Sequence, residues 1–169
     1  MNLPPPRQLI PQPLTSAAFA PYGTVLQAPG GTGRPINGGS SQRFDLVDDL
    51  QLQLQGGRPT LAIFSAAARR FPHGVDEMER HALGSQSFVP LGARRFVIVV
   101  AAAGAVPEAP DLAAFVTDGE QGVTLAPGTW HHALLAIDAG DFVVIERTAP
   151  QVDCDVHRLA RPARVDQAW

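Results

Sequence analysis

Residues Gly119 to Ile137 read GEQGVTLAPGTWHHALLAI. The stretch holds a turn, a short apolar run, a Pro127-Gly128 corner and two adjacent histidines that enter a second apolar run. Proline and glycine between two β-like segments mark a tight corner between strands, not the interior of a helix. Neighbouring side chains on an extended strand point to opposite faces, so His131 and His132 look in opposite directions and one of them faces the interior.

A histidine turned inward needs polar partners, and Asp76 to Ala82 (DEMERHA) can supply them. By the same parity Glu77, Glu79 and His81 share one face, while Met78, Arg80 and Ala82 share the other. Glu79 and His81 therefore converge with His131, with Gln86 and Gly92 following.

Outward from these two segments the chain repeats the same grammar. Short apolar runs at Thr24 to Leu26, Thr60 to Ser65, Ser87 to Leu91, Arg95 to Ala102, Ala113 to Thr117, Gly122 to Leu125, Trp130 to Ile137 and Asp141 to Arg147 are separated by Gly, Pro and Asp. Leu50, Leu52 and Leu54 alternate with glutamines and suggest another strand. About ten short strands without a long amphipathic helix or an internal repeat predict an antiparallel all-β fold closed on itself, with a double-sheet jelly-roll barrel as first choice. Thr15 predicts the N-cap of a short helical turn that Pro21 ends. Residues 28 to 43 form a Gly-rich loop that lacks the strand-before and helix-after setting of a dinucleotide fingerprint, and they read as an active-site rim or a subunit contact.

The 169 residues fit one domain, 1–169, with residues 1–13 and 158–169 expected to be extended or loosely ordered ends. A net charge of −3 gives no electrostatic reason for a nucleic-acid or anionic-membrane partner. The 13 basic residues are all arginine, which excludes lysine Schiff-base and P-loop lysine chemistry. One cysteine, Cys154, forbids an internal disulfide and suits a reducing compartment. The proline-rich N-terminus has no apolar signal-peptide core, and the 11-residue apolar run Phe96 to Val106 is too short to span a bilayer. The expectation is a soluble cytoplasmic protein without a nucleotide or organic cofactor.

Glu79-Arg80-His81 with Gln86 and Gly92 resembles the first cupin motif, with glutamate in place of one histidine and glutamine in place of the acid; Pro127 to His131 resembles the second. More narrowly, Asp76 to Gln86 (DEMERHALGSQ), Asp118 to Val123 (DGEQGV), Trp130-His131-His132, Cys154-Asp155-Val156, Ile36-Asn37 with Arg43, and Phe19 to Val25 (FAPYGTV) together resemble the ureidoglycolate lyase family from about Leu14 to Val156. The resemblance implies a cupin-fold, homodimeric enzyme of allantoin and purine breakdown that splits ureidoglycolate into glyoxylate and urea. It also implies a divalent metal, nickel in particular.

Breaking that C–N bond needs a base for the substrate hydroxyl and an acid for the departing nitrogen. Glu79 and His131 are the expected proton-transferring pair, with His81 beside them and with His81 and Gln86 orienting substrate or binding metal. Glutamine is a poor ligand for nickel, which leaves Glu79, His81 and His131 as metal candidates, one short of the cupin set. Arg43 is the expected partner of the substrate carboxylate, and Asn37, Arg80, Trp130 and His132 complete the expected substrate-binding residues. Two readings stay open for Arg80, an outward ion pair or a site residue, and two for His132, a site residue or a packing histidine. Arg69-Arg70 and Arg94-Arg95 read as surface charges, and Cys154 as a small buried side chain. Two rival functions are an amidohydrolase releasing ammonia from the same substrate, and a non-enzymatic cupin that binds a small acid.

Overall fold

A computed structural model describes residues 5–169. In chain order its strands are β1 (Arg7–Leu9), β2 (Gln12–Pro13), β3 (Gly23–Leu26), β4 (Arg34–Ile36), β5 (Ser41–Arg43), β6 (Arg58–Ala66), β7 (His73–Arg80), β8 (Gln86–Pro90), β9 (Phe96–Ala101), β10 (Ala113–Val116), β11 (Gly122–Leu125), β12 (Trp130–His131), β13 (Leu135–Ala136), β14 (Gly140–Thr148) and β15 (Asp155–Val165). One short helix, α1 (Ser16–Phe19), follows an extended Thr15 whose side chain accepts the Ala18 N–H, the cap its sequence predicts.

An eight-stranded sheet runs β1-β15-β7-β12-β9-β10-β2 with β13 also on β9, and a five-stranded sheet runs β3-β11-β8-β14-β6. Alternation along β9 shows how they pack. Phe96, Ile98 and Val100 join Phe88, Val123, Leu125, Phe142 and Val144 in a core between the two sheets. Val97, Val99 and Ala101 face the other way, into a second core closed by Leu9, Leu112, Leu159 and Val165. Phe96 and Phe142 meet edge-on at 5.6 Å across the inter-sheet core, and each such side chain contributes about 1.5–3 kcal/mol by leaving water. The protein is thus an all-β, cupin-like barrel, as the spacing of its strands predicts.

Three expectations change. Trp130 to Ile137 is not one strand: β12 and β13 pair with opposite ends of β9, separated by residues 132–134. Leu50 to Leu54 is not a strand. Gln51 and Gln55 take left-handed backbone angles (φ 54° and 48°), so Leu52 is buried while Leu54 is exposed. The ends, expected to be extended or loosely ordered, are extended and also paired: β1 lies parallel to β15, β2 parallel to β10, and β15 is an 11-residue strand along β7. Of the N-terminal stretch 1–13, residues 1–4 lie outside the described residues. Within the Gly-rich loop, β4 and β5 form a hairpin whose residues are mostly exposed. Among the described residues no helix is long and apolar enough to cross a membrane.

Candidate active site

Strand register decides which polar side chains enter the barrel. His131 stands opposite Val100 on one side and Glu79 on the other, and Val100 points between the sheets, so His131 and Glu79 do too. The chain reaches this row through the Pro127-Gly128 corner. Gly128 adopts φ 81°, which favours glycine, and donates its N–H to the His81 carbonyl at 2.7 Å, fastening the corner to the end of β7. The facing sheet answers with Gln86 on β8 and Glu146 on β14, paired in register with each other and with inward-facing Leu125.

Glu79, His81 and His131 each present a ligand atom within 4.8 Å of the others. His131 is 2% exposed, and its Nδ1 lies 3.2 Å from the Thr129 carbonyl. The His81 Nδ1 lies 2.6 Å from the Asp153 carbonyl. A carbonyl can only accept, so each Nδ1 carries a hydrogen and, in the neutral ring, leaves the Nε2 lone pair aimed into the site. Both Nε2 atoms are buried and unpartnered. The His131 Nε2 stands 3.4 Å from Glu79 Oε1. A lone pair facing a carboxylate is repulsive, so this contact is favourable only with a proton or a cation between the two atoms. The interaction with His131 is the largest influence on the Glu79 carboxyl and holds it below its ordinary range. Burial pushes it the other way, and the charges of His131 and His81 reinforce the lowering.

Glu79 and Gln86 line a cavity of about 440 Å³ together with Phe64, Phe88, Leu134 and Arg69, a size suited to a small ligand. His81, Glu146 and Cys154 line a second cavity of about 240 Å³. Gln86 is 5% exposed. Its Nε2 donates to Glu146 Oε2 at 2.9 Å, while its Oε1 is buried without a partner.

Other residues expected at the site lie elsewhere. Arg43 is exposed on β5, where its guanidinium is held by Asp45 at 2.6 Å, and Asn37 is exposed at the turn of the same hairpin. Arg80 and Trp130 take the opposite strand parity to Glu79 and His131. Trp130 is buried in the second core, and Arg80 stacks on its ring at 4.6 Å while pairing with Asp155 at 2.9 Å, so neither reaches the cavity. His132 packs edge-on against His73 at 5.7 Å and directs Nδ1 at the Ala133 carbonyl. Burial lowers its pKa first of all. Cys154 Sγ lies 3.8 Å from Glu79 Oε2, and burial together with that carboxylate raises the thiol pKa, which suits a packing role better than a nucleophilic one.

Three residues at or near the site escaped the sequence reading. Asp153 accepts the N–H groups of Ala82 and Leu83 and, through its carbonyl, fixes the His81 ring. Glu146 orients Gln86; its inward parity in β14 follows from Val144, but its partner is set by long-range register. Arg69, read as a surface charge, lines the cavity.

A family model described as ureidoglycolate lyase matches residues 6–166. Among similar proteins are a ureidoglycolate lyase of Burkholderia cepacia, 47% identical over 145 residues, covering 84% of this chain and 81% of that protein. One of Pseudomonas syringae pv. syringae is 43% identical over 155 residues, 91% of each chain. Another of Azotobacter vinelandii is 41% identical over 147 residues, 86% of this chain and 89% of its own length.

Proposed function

This chain belongs to the ureidoglycolate lyase family, and on that premise we propose that it cleaves the C–N bond of ureidoglycolate to give glyoxylate and urea. The observation that carries the reading is the contact between the buried His131 Nε2 and Oε1 of the half-buried Glu79, which is favourable only when it shares a proton or a cation.

A shared proton is what the reaction needs. The substrate hydroxyl loses its proton to the pair as its oxygen becomes the carbonyl of glyoxylate. The bond to nitrogen breaks, its electron pair stays on nitrogen, and the pair returns one proton there to release urea. The pair ends as it began, and no water is consumed. Each half of such a transfer is typically worth about 10²- to 10⁴-fold. The lowered pKa of Glu79 has the interaction with His131 as its largest cause, so the two groups act as a coupled pair.

The same three residues fit a divalent metal, because two unpartnered imidazole Nε2 atoms and a carboxylate are a donor set that nickel accepts. Glu79, His81 and His131 would hold it, with the Thr129 and Asp153 carbonyls fixing the rings from behind. A bound divalent ion supplies Lewis-acid polarisation of a substrate oxygen. The reading includes a cytoplasmic homodimer. Leu61 and Ile63 lie 69% and 52% exposed on the outer face of edge strand β6, an apolar surface that a second copy would cover.

Purified protein incubated with racemic ureidoglycolate, with and without chelator and added nickel, tests the proposal. Urea and glyoxylate should appear in equal amounts above the spontaneous rate. Ammonia in place of urea would establish the hydrolase instead, and no acceleration under any condition would leave a small-acid-binding cupin.

A further inference from the structure

The cavity beside Glu79 is also lined by two polar residues of different character. One is Arg69, whose guanidinium takes part in no ion pair or side-chain hydrogen bond among the described residues. Burial is the main reason that the pKa values of His73 and His132 are lowered, and the Arg69 charge adds to it in both. The residue is fixed by its backbone, since the Arg69 N–H donates to the Ala136 carbonyl at 2.8 Å. The other is Gln86. The Glu146 carboxylate accepts from the Gln86 amide nitrogen, and the amide oxygen of this cavity-lining residue is left as a buried, unused acceptor. A cation that wants an anion and an acceptor that wants an N–H thus share one small cavity with the carboxylate of Glu79.

We infer that substrate lies in this cavity with its carboxylate on Arg69 and its terminal ureido nitrogen donating to Gln86 Oε1, which leaves the hydroxyl and the scissile C–N bond toward Glu79. The inference rests on the lyase reading. It assigns Arg69 the role that sequence spacing suggests for Arg43, and it makes Glu146 a positioning residue that acts through Gln86. Guanidinium matches carboxylate in a planar two-bond geometry, and a buried amide acceptor rejects ligands that bring no donor. Together they fix the orientation of a small molecule that has an anionic carboxylate at one end and a neutral ureido group at the other.

Product inhibition tests each end separately, with glyoxylate and urea as probes. Arg69→Ala should weaken inhibition by glyoxylate at least about 30-fold and leave inhibition by urea within about twofold. Gln86→Leu should weaken urea about tenfold and leave glyoxylate within about twofold. Glu146→Gln, which frees the Gln86 amide to flip, should follow Gln86→Leu in pattern and serves if that variant folds poorly. Equal weakening of both probes in every variant would mark a structural effect and overturn the assignment, as would an Arg69→Ala enzyme with glyoxylate inhibition and kcat/KM within threefold of the parent. Direct titration of the parent protein with each product separates the two premises. If both products bind with this crossed pattern but ureidoglycolate is not turned over, the orientation stands and the reaction fails; if neither binds, the orientation fails.

Discussion

The barrel holds two pairs of neighbouring histidines, and they have opposite surroundings. His81 and His131 lie 5.3 Å apart between the sheets, each with Nδ1 spent on a backbone carbonyl and Nε2 left open beside Glu79. His73 and His132 lie 5.7 Å apart, with Arg69 bringing positive charge to both rings. The first pair faces a carboxylate that favours a proton or a cation. The second is pushed by burial, and by the neighbouring ring or Arg69, toward staying neutral. Adjacent residues 131 and 132 therefore serve unlike purposes, and strand alternation is what parts them.

The largest consequence is in turnover. Glu79→Gln keeps the shape of the side chain but removes the charge that shares a proton with His131. It should lower kcat about 10³-fold, and His131→Ala should do the same. His132→Gln should cost less than about tenfold, since that ring packs on His73 outside the triad. Initial rates of urea release measure all three. Equal losses at 131 and 132 would erase the distinction between the pairs.

That distinction was half legible in the sequence. Parity around Glu79-Arg80-His81 and Trp130-His131-His132 is a local property of extended chain, and it places Glu79 with His131 and turns Arg80 away, where Asp155 and Trp130 receive it. Local pattern misleads where the backbone leaves the extended region. The Leu-Gln alternation of residues 50–54 looks like a strand until Gln51 and Gln55 turn left-handed. It also cannot say which arginine reaches the cavity. Arg43 and Arg69 both sit in segments between apolar runs, and only tertiary packing gives one of them to Asp45 and the other to the space beside Glu79. The terminal strands were missed for the same reason, because the prolines and arginines of β1, β2 and β15 gain their order from partners about a hundred residues away or more, or from the strand at the opposite end of the chain.

Metal affinity separates the pairs next. His81→Ala removes one of three donors and should weaken nickel binding, followed by calorimetric titration, at least about 100-fold. His73→Ala should leave it within about threefold, since His73 belongs to no cluster of three donors among the described residues. Equal loss in both would mean that nickel bridges the two pairs, and unchanged binding in His81→Ala would remove that ring from the donor set.

The smallest effect is on stability against pH, and it reports on the second pair alone. The pKa of His73 is lowered, by burial first and then by the charges of His132 and Arg69. A base whose pKa is lower folded than unfolded binds more protons in the unfolded chain. Its stabilising contribution is therefore complete above its ordinary value of about 6.5 and is lost as pH falls through the depressed folded value. Between pH 7.5 and 5.5 the melting temperature of the parent protein should fall, and that of His73→Gln should fall less, because the substituted residue takes up no proton. The half-buried position of His73 limits the difference to a few degrees at most. A parallel fall in both proteins would show that His73 is not held neutral by its neighbours, and the contrast between the pairs would then rest on His132 alone.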